Sequence, residues 1–175
     1  YLAVFQGRFH AQKGVVEIIE IWKEVVKKLP DAKLAMIGDG PLMQEVKNKI
    51  LKYSLEKNID ILGYMFDGNK KYQVFSGSYL VVHPAFYDSG GMAAAEAMAF
   101  GIPVIGFDLK AYKSYYPKGM LKVKSGSISN FSKAILSLER NKKLYKKYAR
   151  DAQDLIQSHW SWENRANQII NYINK

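Results

Sequence analysis

The sequence contains no cysteine. That excludes disulfides, thiolate metal sites and a cysteine nucleophile, and it fits a cytoplasmic setting. No apolar run approaches the ~20 residues that a membrane-spanning helix needs, and no signal peptide is visible. No Asp-x-Asp pair occurs. Acid is scarce in one region only. Residues 1–109 carry 12 basic and 12 acidic side chains, whereas residues 110–175 carry 14 basic and 4 acidic. The whole net charge of +10 therefore lies in the C-terminal third, and any surface seeking an anionic partner lies there too.

What is present describes a folded α/β chain. Hydrophobic residues make up 48% and aromatic residues 13% of 175 residues, which excludes disorder and suffices for one well-buried domain. The chain opens at Tyr1 without an initiator methionine and runs straight into an apolar segment, which reads as a fragment of a longer protein. Short apolar runs alternate with helical periodicity along its length. Leu2–Phe5, Lys33–Ile37, Ile59–Leu62, Tyr79–Val82 and Met120–Val123 read as strands, with a further strand starting at Val104–Ile105. Helices are expected at Val15–Leu29, Leu42–Tyr53 and Asp67–Ser76, the last capped by Asp67. Past Ser129 the chain is helical, with Phe131, Ile135 and Leu138 on one core face and Leu144, Tyr148, Ala152 and Leu155 on the next. Ser161 is the expected cap of the last helix. Strands alternating with helices imply a doubly wound parallel sheet with helices on both faces and a helical C-terminus.

Residues His83 to Ile105 concentrate the chemistry. Asp88, Ser89, Gly90 and Gly91 turn the chain after a buried strand and open a helix with Ala93, Ala94, Ala97 and Met98 on its apolar side. Gly101 and Pro103 stop that helix. Backbone N–H groups of Gly90, Gly91 and Met92 at the helix start favour an anion such as a diphosphate. Glu96, the only ionisable residue between Asp88 and Asp108, lies one turn further in. A lone carboxylate on an alanine-rich helix is expected to face a cleft, where it can accept hydrogen bonds from both hydroxyls of a ribose. A glycine turn followed by a helix with one surface glutamate accounts for the same residues equally well. Nearer the start, Arg8 and Lys13 are candidate diphosphate ligands in a loop after the first strand, and also ordinary surface cations. His10 reads as an exposed loop residue. Lys13 is followed by Gly14, so the loop is not a P-loop.

Asp88-x7-Glu96 followed by Ala-Met-Ala-x-Gly-x-Pro-Val-Ile resembles the signature of the family 4 retaining glycosyltransferases of the GT-B fold. Gly7-Arg8-x4-Lys13-Gly14 resembles the basic loop of the same family, and His159-Trp160-Ser161-Trp162-Glu163 its closing segment. The resemblance implies that residues 1–175 form a Rossmann-like donor-binding domain whose acceptor-binding partner domain precedes it. The substrate would be a nucleoside diphosphate sugar, with no cofactor and no metal. Arg8, Lys13 and Asp88 are then the catalytic set, with Asp88 on hydroxyls of the donated sugar. Gly7 and the backbone of Ser89, Gly90, Gly91 and Met92 cradle the diphosphate, Glu96 holds the ribose, and Tyr64 and Met65 receive the base. The chain departs from the family pattern in three places. Asp88 stands for the usual glutamate, and Gly90 for a common aromatic or proline. Gly106-Phe107-Asp108-Leu109-Lys110 replaces a Gly-Gly loop with a glutamate.

Two functions follow. One is the donor-binding part of a glycosyltransferase; the other is a non-catalytic nucleotide- or RNA-binding module that uses the basic third. The basic helix offers RNA no stacking platform, because Tyr145 and Tyr148 share it with core leucines. Nucleic acid is therefore not the expected partner. A solvated helix face is the plainest account of the lysines; the other is an acceptor that is lipid-linked or lies on an anionic membrane. In that case Lys142, Lys143, Lys146 and Lys147 contribute to docking at about 1 kcal/mol per charge. Co-sedimentation with vesicles should then rise with anionic lipid and fall when these four charges are removed, and indifference to both would return the lysines to a solvated helix face.

Overall fold

The computed structural model describes residues 1–160 and 162–173. Six strands form one sheet: β1 (Ala3–Gln6), β2 (Leu34–Ile37), β3 (Ile59–Gly63), β4 (Leu80–His83), β5 (Val104–Phe107) and β6 (Met120–Val123). All pairings are parallel, in the order β3-β2-β1-β4-β5-β6. The helices are α1 (Val15–Val26), α2 (Met43–Lys52), α3 (Asn69–Ser76), α4 (Met92–Ala99), α5 (Lys110–Tyr115), α6 (Ile128–Arg140), α7 (Lys142–His159) and α8 (Trp162–Ile173). This is the doubly wound α/β arrangement expected from the alternation of elements.

The strands read as unbroken apolar runs because both faces of the sheet are covered. Side chains alternate across it. Ala3, Phe5, Leu34, Met36, Leu80, Val82, Ile105 and Phe107 pack with Trp22 of α1 and Phe131, Ile135 and Leu138 of α6. Val4, Ala35, Ile37, Val81 and Val104 pack with Ala94, Ala97 and Met98 of α4 and with Ala152 and Leu155 of α7. Leu144 and Tyr148, expected in the core, are half-buried and pack at its margin. Side-chain caps set two of the helix starts: Ser127 accepts from the Asn130 amide, and Asn141 from that of Leu144.

Several boundaries differ from expectation for identifiable reasons. Helix α1 stops at Val26, and Leu29 follows only in a turn onto the Val25 carbonyl, because Pro30 bars helical conformation at the residue before it. Helix α3 begins at Asn69 after Gly68 and has no side-chain cap. Asp67 is not its N-cap; its carboxylate is drawn instead to Lys71, 2.6 Å away. In α4, Ala95 is buried where Ala93 is only half-buried. Within residues 106–110, Gly106 and Phe107 finish β5, Asp108 and Leu109 connect, and Lys110 starts α5, whose six residues are too few to show a period. The expected Ser161 cap lies outside the described residues.

Gly14 lets the loop after β1 pack directly against the backbone that follows β4. Its φ is +64°, and a Cβ there would lie 1.9 Å from the Pro84 carbonyl oxygen. Alanine at this position meets backbone that has nowhere to move, so Gly14→Ala should lose about 2–4 kcal/mol of stability in denaturant titration. Gly90→Ala, where an added methyl meets nothing within 4 Å, should stay within about 0.5 kcal/mol. Equal losses would mean that the approach of Gly14 to Pro84 is not a constraint on the fold.

Candidate functional site

The order of strands reverses at β1 and β4, and the loops leaving their carboxyl ends open the crevice where α/β sheets bind ligands. Residues 7–14 and 84–91 interlock there. The Phe86 amide donates to the Gln12 carbonyl at 2.8 Å. His10 is half-buried, and its Nδ1 accepts from the Gln12 amide at 3.3 Å to start a 3-10 turn over Ala11–Lys13. That turn ends by pointing Lys13 at the second loop, and its ammonium lies 2.6 Å from Asp88 Oδ2.

Asp88 is the junction. Oδ2 takes Lys13 Nζ and also lies 3.0 Å from His83 Nε2, while Oδ1 accepts the amides of Gly90 at 3.1 Å and Gly91 at 2.7 Å. Burial opposes ionisation of this carboxyl. The hydrogen bonds from His83, Lys13, Gly91 and Gly90 outweigh burial and hold it well below the usual carboxylate range. The expectation of free amides at Gly90 and Gly91 is therefore corrected: a short aspartate folds back onto its own turn and takes both. Met92 and Ala93 open α4, and their amides precede any intrahelical carbonyl partner.

The turn is held from below. The buried Tyr116 hydroxyl donates between the carbonyls of Gly90 at 2.6 Å and Gly91 at 2.8 Å. Gly91 has φ +62°, and any Cβ would press on the Tyr112 and Tyr116 rings at 3.2 Å. Burial and the nearby Asp88 charge push both hydroxyls up, so they stay neutral.

Two adjoining cavities open at the crevice. One, of about 380 Å³, is lined by Lys13, Asp88, Ser89, Gly90, Gly91 and Met92, together with His83 and Ala93. The other, of about 360 Å³, is lined by Arg8, Tyr64 and Met65, together with Asp39. Gln6 and Gly7 line both. The fold thus brings together ten of the eleven residues singled out from sequence. Gln6 and His83 were missed there. Each has a buried polar atom without a hydrogen-bond partner among the described residues, Gln6 Oε1 and His83 Nδ1, a signal available only in three dimensions.

Glu96 is the eleventh and lines neither cavity. Nor is it a lone carboxylate. Its Oε2 lies 2.7 Å from Nζ of Lys71, a lysine 1% exposed on α3, which also reaches Asp67 Oδ1 at 2.6 Å. Burial draws the Lys71 ammonium down, and hydrogen bonds to Asp67 and Glu96 outweigh it and hold its pKa above the ordinary value. The partner was invisible in the window 88–108 because it lies on another helix.

The basic third forms a separate surface. Lys142, Lys143, Lys146, Lys147 and Arg150 line a cavity of about 730 Å³ on α7 that shares no residue with the crevice. Tyr145 is stacked on Tyr79, with centroids 3.9 Å apart, and is not a free platform. Among the described residues no helix is long and apolar enough to cross a membrane, and no group of His, Asp and Glu stands ready to hold a metal.

Comparison with known proteins gives a consistent pattern. The model of the family Glycosyl transferases group 1 matches residues 1–155. A poly(glycerol-phosphate) alpha-glucosyltransferase of Bacillus subtilis is 24% identical over 175 residues, 98% of this chain, which spans only 25% of that protein's length. A TarM variant from Staphylococcus aureus, solved with fondaparinux, alpha-GlcNAc-glycerol and UDP, superposes with a TM-score of 0.87 at 25% identity. That match covers 99% of this chain and 36% of TarM. The C-terminal domain of the group 1 family protein LpcC from Francisella tularensis shares the fold at TM-score 0.79 and 23% identity, over 91% of this chain and 86% of its own.

The Asp88 junction has a pH signature. A carboxyl whose folded pKa is lowered stabilises the fold fully above its unfolded value, 3.8, and loses that contribution as pH falls towards the folded value. Asp88→Asn should therefore cost about 1–3 kcal/mol at neutral pH, and progressively less below about pH 4. Denaturant titrations of both proteins at several pH values would show the gap closing. A gap unchanged down to about pH 2.5 would mean that the charge on Asp88 does not hold the two loops together.

Proposed function

The chain belongs to the glycosyl transferases group 1 family, and we propose that it is the donor-binding part of a family 4, retaining, GT-B transferase. It would hold a nucleoside diphosphate sugar while a preceding domain presents the acceptor. The observation that carries this reading is the interlock of the β1 and β4 loops. It sets Arg8, Lys13 and the amides opening α4 around two adjoining cavities at the switch point of the sheet. The S. aureus TarM structure, which contains UDP, supports the choice of ligand.

The residues divide the ligand among them. The α4 N-terminus meets the diphosphate with its dipole and open donors at Met92 and Ala93, and Gly7 allows close approach. Lys13, held at the mouth of the site by Asp88, still has ammonium protons to offer, since an ammonium carries three. Arg8, exposed on the neighbouring cavity, adds a second cation. Both stabilise the charge that builds on the departing diphosphate as the glycosidic bond breaks. Asp88 already balances Lys13, so the uncompensated positive charge facing the diphosphate comes from Arg8 and the α4 dipole, and the reading includes no metal. All four acceptor positions of Asp88 are taken, so it addresses hydroxyls of the transferred sugar by exchanging one of its donors, and Lys13 is the one that can turn to the diphosphate. Tyr64 and Met65 receive the base in the second cavity. Glu96, one turn along α4 from Met92, accepts from the ribose hydroxyls.

Glu96 and Arg8 should separate cleanly in calorimetry. Glu96→Ala is expected to weaken UDP binding by about 1.5–3 kcal/mol, with a much smaller loss for 2′-deoxy-UDP, whose missing hydroxyl already removes part of the interaction. Arg8→Ala should weaken both ligands alike, because it addresses phosphate. The unmodified 175 residues should bind UDP and transfer no sugar. Transfer at a rate comparable to an intact enzyme would overturn the assignment of an acceptor role to a preceding domain, and equal losses for both ligands in Glu96→Ala would remove Glu96 from the ribose.

A further inference from the structure

We infer that Lys71 is a positioning residue for the donor nucleotide: its buried ammonium fixes the Glu96 carboxylate in the attitude that receives the ribose. The inference rests on the ribose reading of Glu96 and adds to it a residue that sequence motifs do not mark. Lys71 is 1% exposed, an unusual state for a lysine, which is tolerated only where the charge is paired. Two carboxylates pair it, Glu96 Oε2 at 2.7 Å and Asp67 Oδ1 at 2.6 Å, and its Nζ lies 5.6 Å from the Tyr72 ring centroid and 5.9 Å from that of Phe75.

The two carboxylates are not equivalent. The Asp67 side chain is 75% exposed, so its attraction to Lys71 is screened by water. That of Glu96 is 30% exposed: Oε2 is committed to Lys71, and part of the side chain stays open to solvent. A free glutamate on a helix surface samples several rotamers and must be ordered by its ligand. Tied at one oxygen to a buried cation, it presents its acceptors already ordered. The same cation offsets the repulsion between Glu96 and a diphosphate bound one turn away at the start of α4.

Lys71 also joins two parts of the candidate site. Asp67 closely follows Tyr64 and Met65, which line the second cavity, and Glu96 follows the turn that lines the first. A single side chain on α3 therefore links the segment assigned to the base with the carboxylate assigned to the ribose.

The test is the ratio of affinities for UDP and 2′-deoxy-UDP in the unmodified chain, Lys71→Met and Lys71→Arg, with thermal melts to confirm folding. The unmodified chain should prefer UDP by about tenfold or more. Lys71→Met, which keeps the length and loses the charge, should bring the ratio within about threefold, while Lys71→Arg, which restores a cation, should recover much of it. Should Lys71→Met fail to fold, Lys71→Met/Asp67→Asn removes the carboxylate left facing Glu96 and carries the same readout. A folded Lys71→Met that keeps the full ratio overturns the positioning role while leaving the ribose reading intact. An unmodified chain that binds UDP without preferring it overturns the ribose reading, and this inference with it.

Discussion

Everything at the carboxyl ends of the central strands depends on one carboxylate. Asp88 takes Lys13 from the loop after β1, His83 from the end of β4 and two amides from its own turn. Without it those donors would have no common acceptor, and two of the amides would compete for water in a half-closed crevice. The cost of burying its charge is met by four hydrogen bonds, three from within its own strand and turn and one from across the crevice. That last bond matters for shape, because it joins segments 75 residues apart in sequence. Gly14 and Tyr116 complete the arrangement, one by letting the two loops touch and the other by fixing the turn from below.

Two carboxylates of the candidate site are each paired with a lysine: Asp88, just before α4, with Lys13, and Glu96, within α4, with Lys71. The lysines differ in exposure. Lys13 retains partial access to solvent, with a side chain 28% exposed, and is positioned to exchange partners. Lys71 is sealed under two aromatic rings and can only hold what it already holds. One cation is suited to meeting ligand charge, and the other to fixing a protein group.

The fold was legible in the sequence wherever periodicity and apolar runs carried it. The strands, α1 and α6 follow from patterns of Val, Ile, Leu and Phe that fit a sheet covered on both faces. Much of the site was legible too, because Arg8, Lys13 and Asp88–Met92 sit in two local motifs that the topology brings face to face. What escaped detection was non-local. The partner of Glu96 lies on α3, and no spacing within the glycine-rich stretch announces it. The amides of Gly90 and Gly91 looked free because the reach of Asp88 back onto its own turn is a matter of side-chain length. Gln6 and His83 end strands as ordinary pattern members, and only the surrounding walls show that each has a buried polar atom without a partner among the described residues. Helix α5 was too short to generate a period at all.

The strand order has a kinetic consequence. Strand β4 pairs with β1, and the connection from β3 must carry the chain past β2 and β1 before that pair can form. Parallel pairings of this kind close long loops before they are rewarded, so the seam between β1 and β4 belongs to the slow part of folding. The crevice is built on that seam. A newly made chain can therefore hold its N-terminal βαβ unit while Lys13 still lacks its partner Asp88. The junction that joins the two loops forms only when the seam closes.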